Sequence, residues 1–185
     1  TINKKKIIDH LKMINPNVID ISYLYRHDEQ DVNIYTKMSQ IIWNGMKDYE
    51  KVGFIVPGNP VICVNVTQIL INNCKRKEIP YKIYPAISSI DTILAELGLD
   101  IGKRGISIYL ADRIILENKT IDIKTDLLVF QIGALGTTRM KLKRECDYER
   151  FAGFHKYLLS FYKEDQSCYL IETENGISES TKIIE

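Results

Sequence analysis

The fold is decided by residues 51–67, KVGFIVPGNPVICVNVT. The apolar run 52–56 stops at the turn residues Pro57-Gly58-Asn59-Pro60, and apolar residues then recur at helical spacing up to about Lys75. This order predicts a buried strand, a tight loop and a helix. In an open α/β sheet, ligands sit where loops leave the carboxyl ends of strands. Taken alone, however, the segment is better explained as an ordinary turn than as a binding site.

Composition limits the classes of partner. The 25 Lys and Arg nearly balance the 24 Asp and Glu, so the net charge gives no reason to expect a nucleic acid or membrane partner. The four cysteines form no CxxC pair and the three histidines do not cluster with them, so we predict no metal site and reduced thiols. No apolar run is long enough to span a bilayer, and no signal-peptide pattern is present. These features predict a cytoplasmic protein.

Up to Gly102, predicted strands alternate with predicted helices, which is typical of a mostly parallel sheet with helices on both faces. The predicted helices are 2–13, 32–46, the helix after the central loop, and 90–97, and the predicted strands are 18–25, 52–56 and 80–84. The strand 80–84 leads into a second loop, Pro85-Ala86-Ile87-Ser88-Ser89. Either serine can cap the helix that follows.

The pattern becomes less regular after the glycine-rich residues 98–105, so we place a domain boundary near Gly102. Residues 1–102 are then an N-terminal α/β domain, and residues 103–185 a C-terminal α+β domain with a mixed sheet. In this second domain the apolar patterns predict strands at 106–110, 127–133 and 167–173 and a helix at 151–162.

Tyrosines flank the polar loop RHDEQD at residues 26–31, with Tyr23 and Tyr25 before it and Tyr35 after it. Such rings can line a pocket or pack at the edge of the core with the hydroxyl in water, and the residues alone favour the second arrangement. The chain has no GxSxG elbow, Walker loop or HExxH motif, so hydrolytic and metal mechanisms are not supported.

The segments VPGNPV, YPAISSIDTILAELGLD, GISIYLAD and VFQIG, in this order, resemble the tetrapyrrole (corrin/porphyrin) methylase superfamily. The resemblance implies a two-domain α/β fold that binds S-adenosylmethionine in the cleft between the domains. Within the superfamily, INPNVIDISYLY, IYTKM and FQIGALG are similar to segments of the borosin-type peptide backbone N-methyltransferases. A rival resemblance, to the methylase-like half of proteins fused to a MazG-type pyrophosphohydrolase, rests on the VPGNP loop. Nothing after Gly136 looks like that enzyme.

The resemblance also implies roles for particular residues. It assigns cofactor contacts to both loops and to two second-domain positions, namely Pro57, Gly58, Asn59, Pro60, Ser88, Ser89, Tyr109 and Gln131. It assigns Tyr25 and Tyr35 to the active site, where phenolic groups can accept the proton of an amide or orient it. The cofactor brings an activated methyl group, so the protein's task is positioning.

Four departures separate the chain from this family. Asp31 stands where the family has an arginine, and the nearest arginine is Arg26. Ser22 takes the place of a loop tyrosine, and Ala86 that of a glycine. The family normally opens with a strand and a glycine-rich turn, which do not precede Thr1 here. We therefore expect a truncated or partly ordered product whose first strand is missing.

Two functions from different classes follow from the resemblance. The first is an S-adenosylmethionine-dependent methyltransferase acting on the backbone amides of a separate precursor peptide, within the biosynthesis of a ribosomally made peptide, and working as a homodimer. The second is a non-catalytic module that uses the cleft for a ligand or partner, which Asp31 favours. A tetrapyrrole C-methyltransferase is a third possibility. The retained tyrosines and loops favour the peptide methyltransferase.

Overall fold

The structure is a computed structural model that describes residues 4–26, 28–139, 148–172 and 182–184. These residues form helices and two small sheets, which confirms the α/β class. The helices are α1 (Lys4–Ile14), α2 (Asp31–Asp48), α3 (Asn65–Arg76), α4 (Ser89–Leu97), α5 (Ile101–Arg104), α6 (Ala111–Leu116) and α7 (Tyr148–Leu158). The strands are β1 (Ile106–Leu110), β2 (Asp126–Phe130), β3 (Leu170–Glu172) and β4 (Lys182–Ile184). Among the described residues, no helix has the length and hydropathy needed to cross a bilayer.

Helices α2 and α3 pack together and form the N-terminal core. Ile34 and Met38 lie four residues apart on one face of α2, and both are buried against Val66 near the start of α3. Further apolar side chains surround this cluster, namely Ile21, Leu24, Ile42, Phe54 and Leu70. Both helices were predicted from the spacing of their apolar residues, and both are confirmed.

The three strands predicted before residue 85 are wrong for the described residues. Ser22–Leu24 is a single 3₁₀ turn, and the segments 52–56 and 80–84 have no regular secondary structure. Their apolar side chains are partly in solvent, with Ile55 68% and Tyr84 70% exposed. An apolar run becomes a strand only when a partner satisfies its backbone N–H and C=O groups, and no described segment pairs with these two.

Helix α4 is defined by its two ends. The Ser88 hydroxyl accepts a hydrogen bond from the Asp91 backbone N–H at 3.4 Å, and the Asp91 carboxylate accepts one from the Ser88 N–H at 2.7 Å. This capping box starts the helix. Gly98 ends it in the left-handed conformation with φ +60°, which glycine adopts without strain. The predicted helix 90–97 is confirmed.

Strands β1 and β2 pair in parallel, with Ile106 opposite Asp126 and Leu110 opposite Phe130. Helix α6 crosses between them, and its buried face belongs to the C-terminal core. That core consists of Ala111, Ile114, Ile121, Leu135 and Phe154. Sequence analysis did not predict α6, because six helical residues are too few to produce a clear period. Strand β2 ends earlier than predicted, since Gln131 takes a left-handed conformation with φ +58°.

Strands β3 and β4 form a separate antiparallel pair, with Leu170 opposite Ile184. The described C-terminal residues therefore contain two two-stranded sheets, where the sequence predicted one mixed sheet. The predicted strand 167–173 is confirmed at its centre, and Thr173 lies outside the described residues. Helix α7 includes most of the predicted helix 151–162, with turns following Leu158.

Hydrogen bonds join the start of α2 to the loop that follows β2. The Asp31 N–H donates to the Thr138 carbonyl at 3.0 Å, and the Arg139 guanidinium donates to the Asp28 carbonyl at 2.7 Å. On the far side of this loop, the Gly136 N–H donates to Asp112 Oδ1 of α6 at 2.8 Å. The C-terminal core thus helps to position the residues at the N-terminal end of α2.

Candidate functional site

The two loops assigned to the cofactor lie against each other. Gly58 has φ +74°, and a Cβ atom added to it would come within 3.6 Å of the Ile87 carbonyl oxygen. The first loop is held in shape by Asn59, whose side-chain oxygen accepts the Val61 N–H at 3.1 Å. The positive φ of Gly58 explains the glycine at this position, since an added Cβ would make only an ordinary van der Waals contact with the second loop.

The two serines of the second loop have different environments. Ser88 is buried, and its hydroxyl donates to Asp91 Oδ2 at 2.6 Å in addition to capping α4. These hydrogen bonds, chiefly from the Ser88 hydroxyl and N–H, lower the pKa of the Asp91 carboxyl. Ser89 is exposed. The Ser88 hydroxyl is thus used by the helix, and Ser89 is the serine that is open to a ligand.

The second loop and α4 border an open concave surface with a volume of about 710 Å³. It is lined by Pro85, Ala86, Ile87, Asp91, Thr92 and Ala95. The Ile87 side chain is 76% exposed at this surface. An apolar wall with a few polar groups is typical of small-molecule sites.

A second cluster forms where α2 begins. Tyr35 lies four residues after Asp31 on the same helix, and the side chain of Asn65, the first residue of α3, is near enough to influence its pKa. Burial raises the pKa of Tyr35 and of Tyr25, and the negative charge of Asp31 raises both further. Both phenols are therefore neutral near pH 7, and both are hydrogen-bond donors.

Asp31 completes this cluster. Its Oδ1 atom is buried and has no hydrogen-bond partner among the described residues. Burial raises the pKa of the Asp31 carboxyl above its usual range. The sequence singled out Asp31 only because it replaces an arginine of the resembled family. Its contact with the two tyrosines depends on the turn 22–24 and on the start of α2, which no motif encodes.

Residues 7–145 match the tetrapyrrole (corrin/porphyrin) methylase family. The chain belongs to this family. The match includes both loops, the tyrosine cluster and the strand pair β1 and β2. The methylase resemblance seen in the sequence is confirmed.

Among curated proteins, this chain is similar to borosin proteins whose names combine a methyltransferase with a ribosomally synthesized peptide precursor. It is 25% identical over 130 residues to the type III borosin cyclic peptide precursor of Anomoporia bombycina, 25% over 122 residues to the omphalotin A precursor of Omphalotus olearius, and 26% over 121 residues to a type I borosin precursor of Serendipita vermifera subsp. bescii. These matches include 70%, 66% and 65% of this chain. They span only 15%, 29% and 30% of the three relatives.

Two residues assigned to the cofactor of the methylase lie apart from the loops. The Tyr109 ring packs against the C-terminal core, with Lys119 Nζ 6.0 Å from its centroid. Gln131 is exposed just after β2. None of the described hydrogen bonds joins either residue to residues 57–60 or 85–89. The roles of Tyr109 and Gln131 stay predictions.

The sequence also missed residues near the tyrosine cluster. Asn65 lies five residues after Pro60 and is the first residue of α3, a start that the apolar pattern did not mark. Thr138, whose carbonyl accepts the Asp31 N–H, carries no such signal, because the contact joins residues far apart in the chain. The Ser22 hydroxyl donates a hydrogen bond to Asp20 Oδ1 at 2.6 Å. Because this hydroxyl is used within its own turn, Ser22 does not take over the role of the family's tyrosine.

Proposed function

We propose that this chain is an S-adenosylmethionine-dependent methyltransferase that methylates backbone amide nitrogens of a separate precursor peptide. Membership of the methylase family supports the reaction class. The names of the borosin relatives, which combine a methyltransferase with a cyclic peptide precursor, support a peptide acceptor. Because the chain matches less than a third of those proteins in length, their activity is a hypothesis for it.

The two loops are the residues that fit the cofactor. The first loop passes beside the second at Gly58, and the open surface next to Ile87 offers apolar contact. Ser89 adds an exposed hydroxyl. S-adenosylmethionine, when bound, supplies a methyl group activated by a positively charged sulfur. We further propose that Tyr109 and Gln131 contribute from the second domain.

The observation that carries the proposal is the cluster of Tyr25, Tyr35 and Asp31 next to Asn65. An amide nitrogen is a poor nucleophile until it loses its proton, and the negative charge that then develops is shared with the carbonyl oxygen. Neutral phenols can donate hydrogen bonds to that oxygen as the charge develops. The raised pKa of both tyrosines favours this donor role over the proton-accepting role that the sequence left open.

We also propose that the domain boundary lies near Gly102, with residues 1–102 and 103–185 on its two sides. The hydrogen bond from the Asp31 N–H to the Thr138 carbonyl crosses this boundary, so the second domain would help to shape the site. A cytoplasmic homodimer is part of the proposal. Light scattering on the purified chain measures the mass directly.

The experiment that tests the function is incubation with S-adenosylmethionine and candidate precursor peptides, followed by fragmentation mass spectrometry. We expect methyl groups on backbone nitrogens. Replacing Tyr35→Phe removes one hydrogen-bond donor and should slow the reaction by about a hundredfold, the usual cost of losing one such donor. Tyr49→Phe, at an exposed tyrosine just after α2, is the matched control and should leave the rate unchanged.

A non-catalytic binding module is the second candidate, because Asp31 stands where the family has an arginine. This candidate predicts that the chain binds S-adenosylmethionine or a peptide without transferring a methyl group. Full activity in both Tyr25→Phe and Tyr35→Phe would instead show that other residues act on the amide.

A further inference from the structure

Asp31 is partly buried, and one of its two carboxylate oxygens is buried without a hydrogen-bond partner among the described residues. Its Oδ1 atom is inaccessible to solvent and accepts no hydrogen bond within the described ranges. Native proteins pair nearly all buried polar atoms, and an unpaired one marks a functional group or a place for a missing partner. The Asp31 backbone, by contrast, is fixed by the bond from its N–H to Thr138. The backbone of Asp31 is therefore fixed, while its side-chain Oδ1 atom accepts no hydrogen bond from the described residues.

The groups around Asp31 restrict what that partner can be. Tyr35 and Tyr25 are both close enough for the Asp31 charge to raise their pKa values. Arg139, on the facing segment, donates from its guanidinium to the Asp28 carbonyl. In the described structure no ion pair joins Arg139 to Asp31. A ligand entering this cluster thus meets a carboxylate and two neutral hydroxyls, which suits an N–H donor and repels a polyanion.

We propose that Asp31 Oδ1 accepts the proton of the peptide amide N–H. This inference rests on the proposed function and makes it more specific, since it selects uncharged peptide amides over carboxylate-rich tetrapyrroles. The amide N–H bond breaks, and its proton forms an O–H bond on Asp31. The electron pair left on nitrogen forms the bond to the methyl carbon, while the bond between that carbon and the cofactor sulfur breaks and leaves its electron pair on the sulfur. Asp31 passes the proton to water once the methylated peptide has left.

The electrostatics agree with this assignment. Burial raises the pKa of the Asp31 carboxyl, so its carboxylate is a stronger base than that of an ordinary aspartate. The neighbouring phenols have raised pKa values, so they keep their protons. Methylation should therefore decline as the pH falls through the raised pKa of Asp31. Tyr25 and Tyr35, the described groups whose pKa the Asp31 charge affects, have raised pKa values and keep their protons in that acidic range.

The test combines binding and rate measurements on the full chain. An uncharged peptide of alternating valine and glycine is titrated by calorimetry in buffers of different ionisation enthalpy, with S-adenosylhomocysteine present. Hydrogen bonding to the ionised carboxylate should release protons at mildly acidic pH. The same peptide with every backbone nitrogen methylated lacks the donor and should release none. Asp31→Asn should abolish the proton release and slow methylation by about a hundredfold or more.

Two variants separate this role from a structural one. Asp31→Glu keeps the carboxylate and should restore part of the rate, and Asp28→Asn, in the same loop, should behave like the wild type. Equal proton release or equal rates in wild type and Asp31→Asn would overturn the proposal, as would failure of the wild type to bind the peptide. Proton release that depends on Asp31 without any methylation would keep the acceptor role and reject the proposed function.

Discussion

Apolar runs in the sequence do not form strands in the N-terminal helical region, whereas similar runs form the strand pair of the C-terminal region. The helical spacing of apolar residues correctly predicted α2 and α3. The apolar runs 52–56 and 80–84, which were predicted as strands, have no regular secondary structure. The apolar runs of β1 and β2, which α6 connects, form a parallel pair. A helix satisfies its backbone locally, whereas a strand depends on a distant partner. The tyrosine cluster occurs where the start of α2 meets the C-terminal loop.

The largest expected effect concerns the two cores. Ile34 and Ile114 are both fully buried, so replacing either by alanine should lower the free energy of unfolding by about 2–5 kcal/mol. The exposed neighbours Val32 and Ile115 provide controls, and their alanine variants should change it far less. Urea unfolding of all four variants measures the difference. A near-neutral Ile34→Ala would mean that the N-terminal region is not packed as the α2 and α3 core requires.

A smaller effect distinguishes the loop glycines. Gly58 and Gly98 both have positive φ, so an alanine at either position should cost about 1–2 kcal/mol of stability. Only at Gly58 would the new methyl group reach the second loop, near Ile87, because nothing lies within 4 Å at Gly98. Gly58→Ala should therefore also weaken S-adenosylhomocysteine binding, and Gly98→Ala should not. Equal affinities in the two variants would argue against a cofactor role for the first loop.

The smallest effect is the pH dependence of the α4 cap. Hydrogen bonds from Ser88 lower the pKa of Asp91, so their stabilising contribution is complete above the pKa of the unfolded chain. It is lost as the pH falls through the lowered pKa of the folded state. Melting temperatures of wild type and Asp91→Asn should therefore differ at neutral pH and converge in acid. A difference in melting temperature that stays the same at every pH would contradict the capping box.

The sequence predicted the parts of this molecule that depend on local chemistry. The period of residues 32–46, the turn residues 57–60 and the serine before α4 each specify a structure within a few neighbours. The predictions of three N-terminal strands were wrong because the pairing of a strand depends on segments far away in the sequence. The proposed role of Asp31 was hidden for the same reason, since Tyr25 and Thr138 approach it only through the tertiary fold.

The central claim is that the loops at Gly58 and Ile87 hold S-adenosylmethionine beside the tyrosine cluster. Its most direct test is calorimetric titration of the full chain with S-adenosylmethionine and with S-adenosylhomocysteine. We predict saturable binding of both by the wild type and a weaker affinity in Gly58→Ala, with Gly98→Ala unchanged. Absence of binding of either compound to the wild-type chain would contradict the claim.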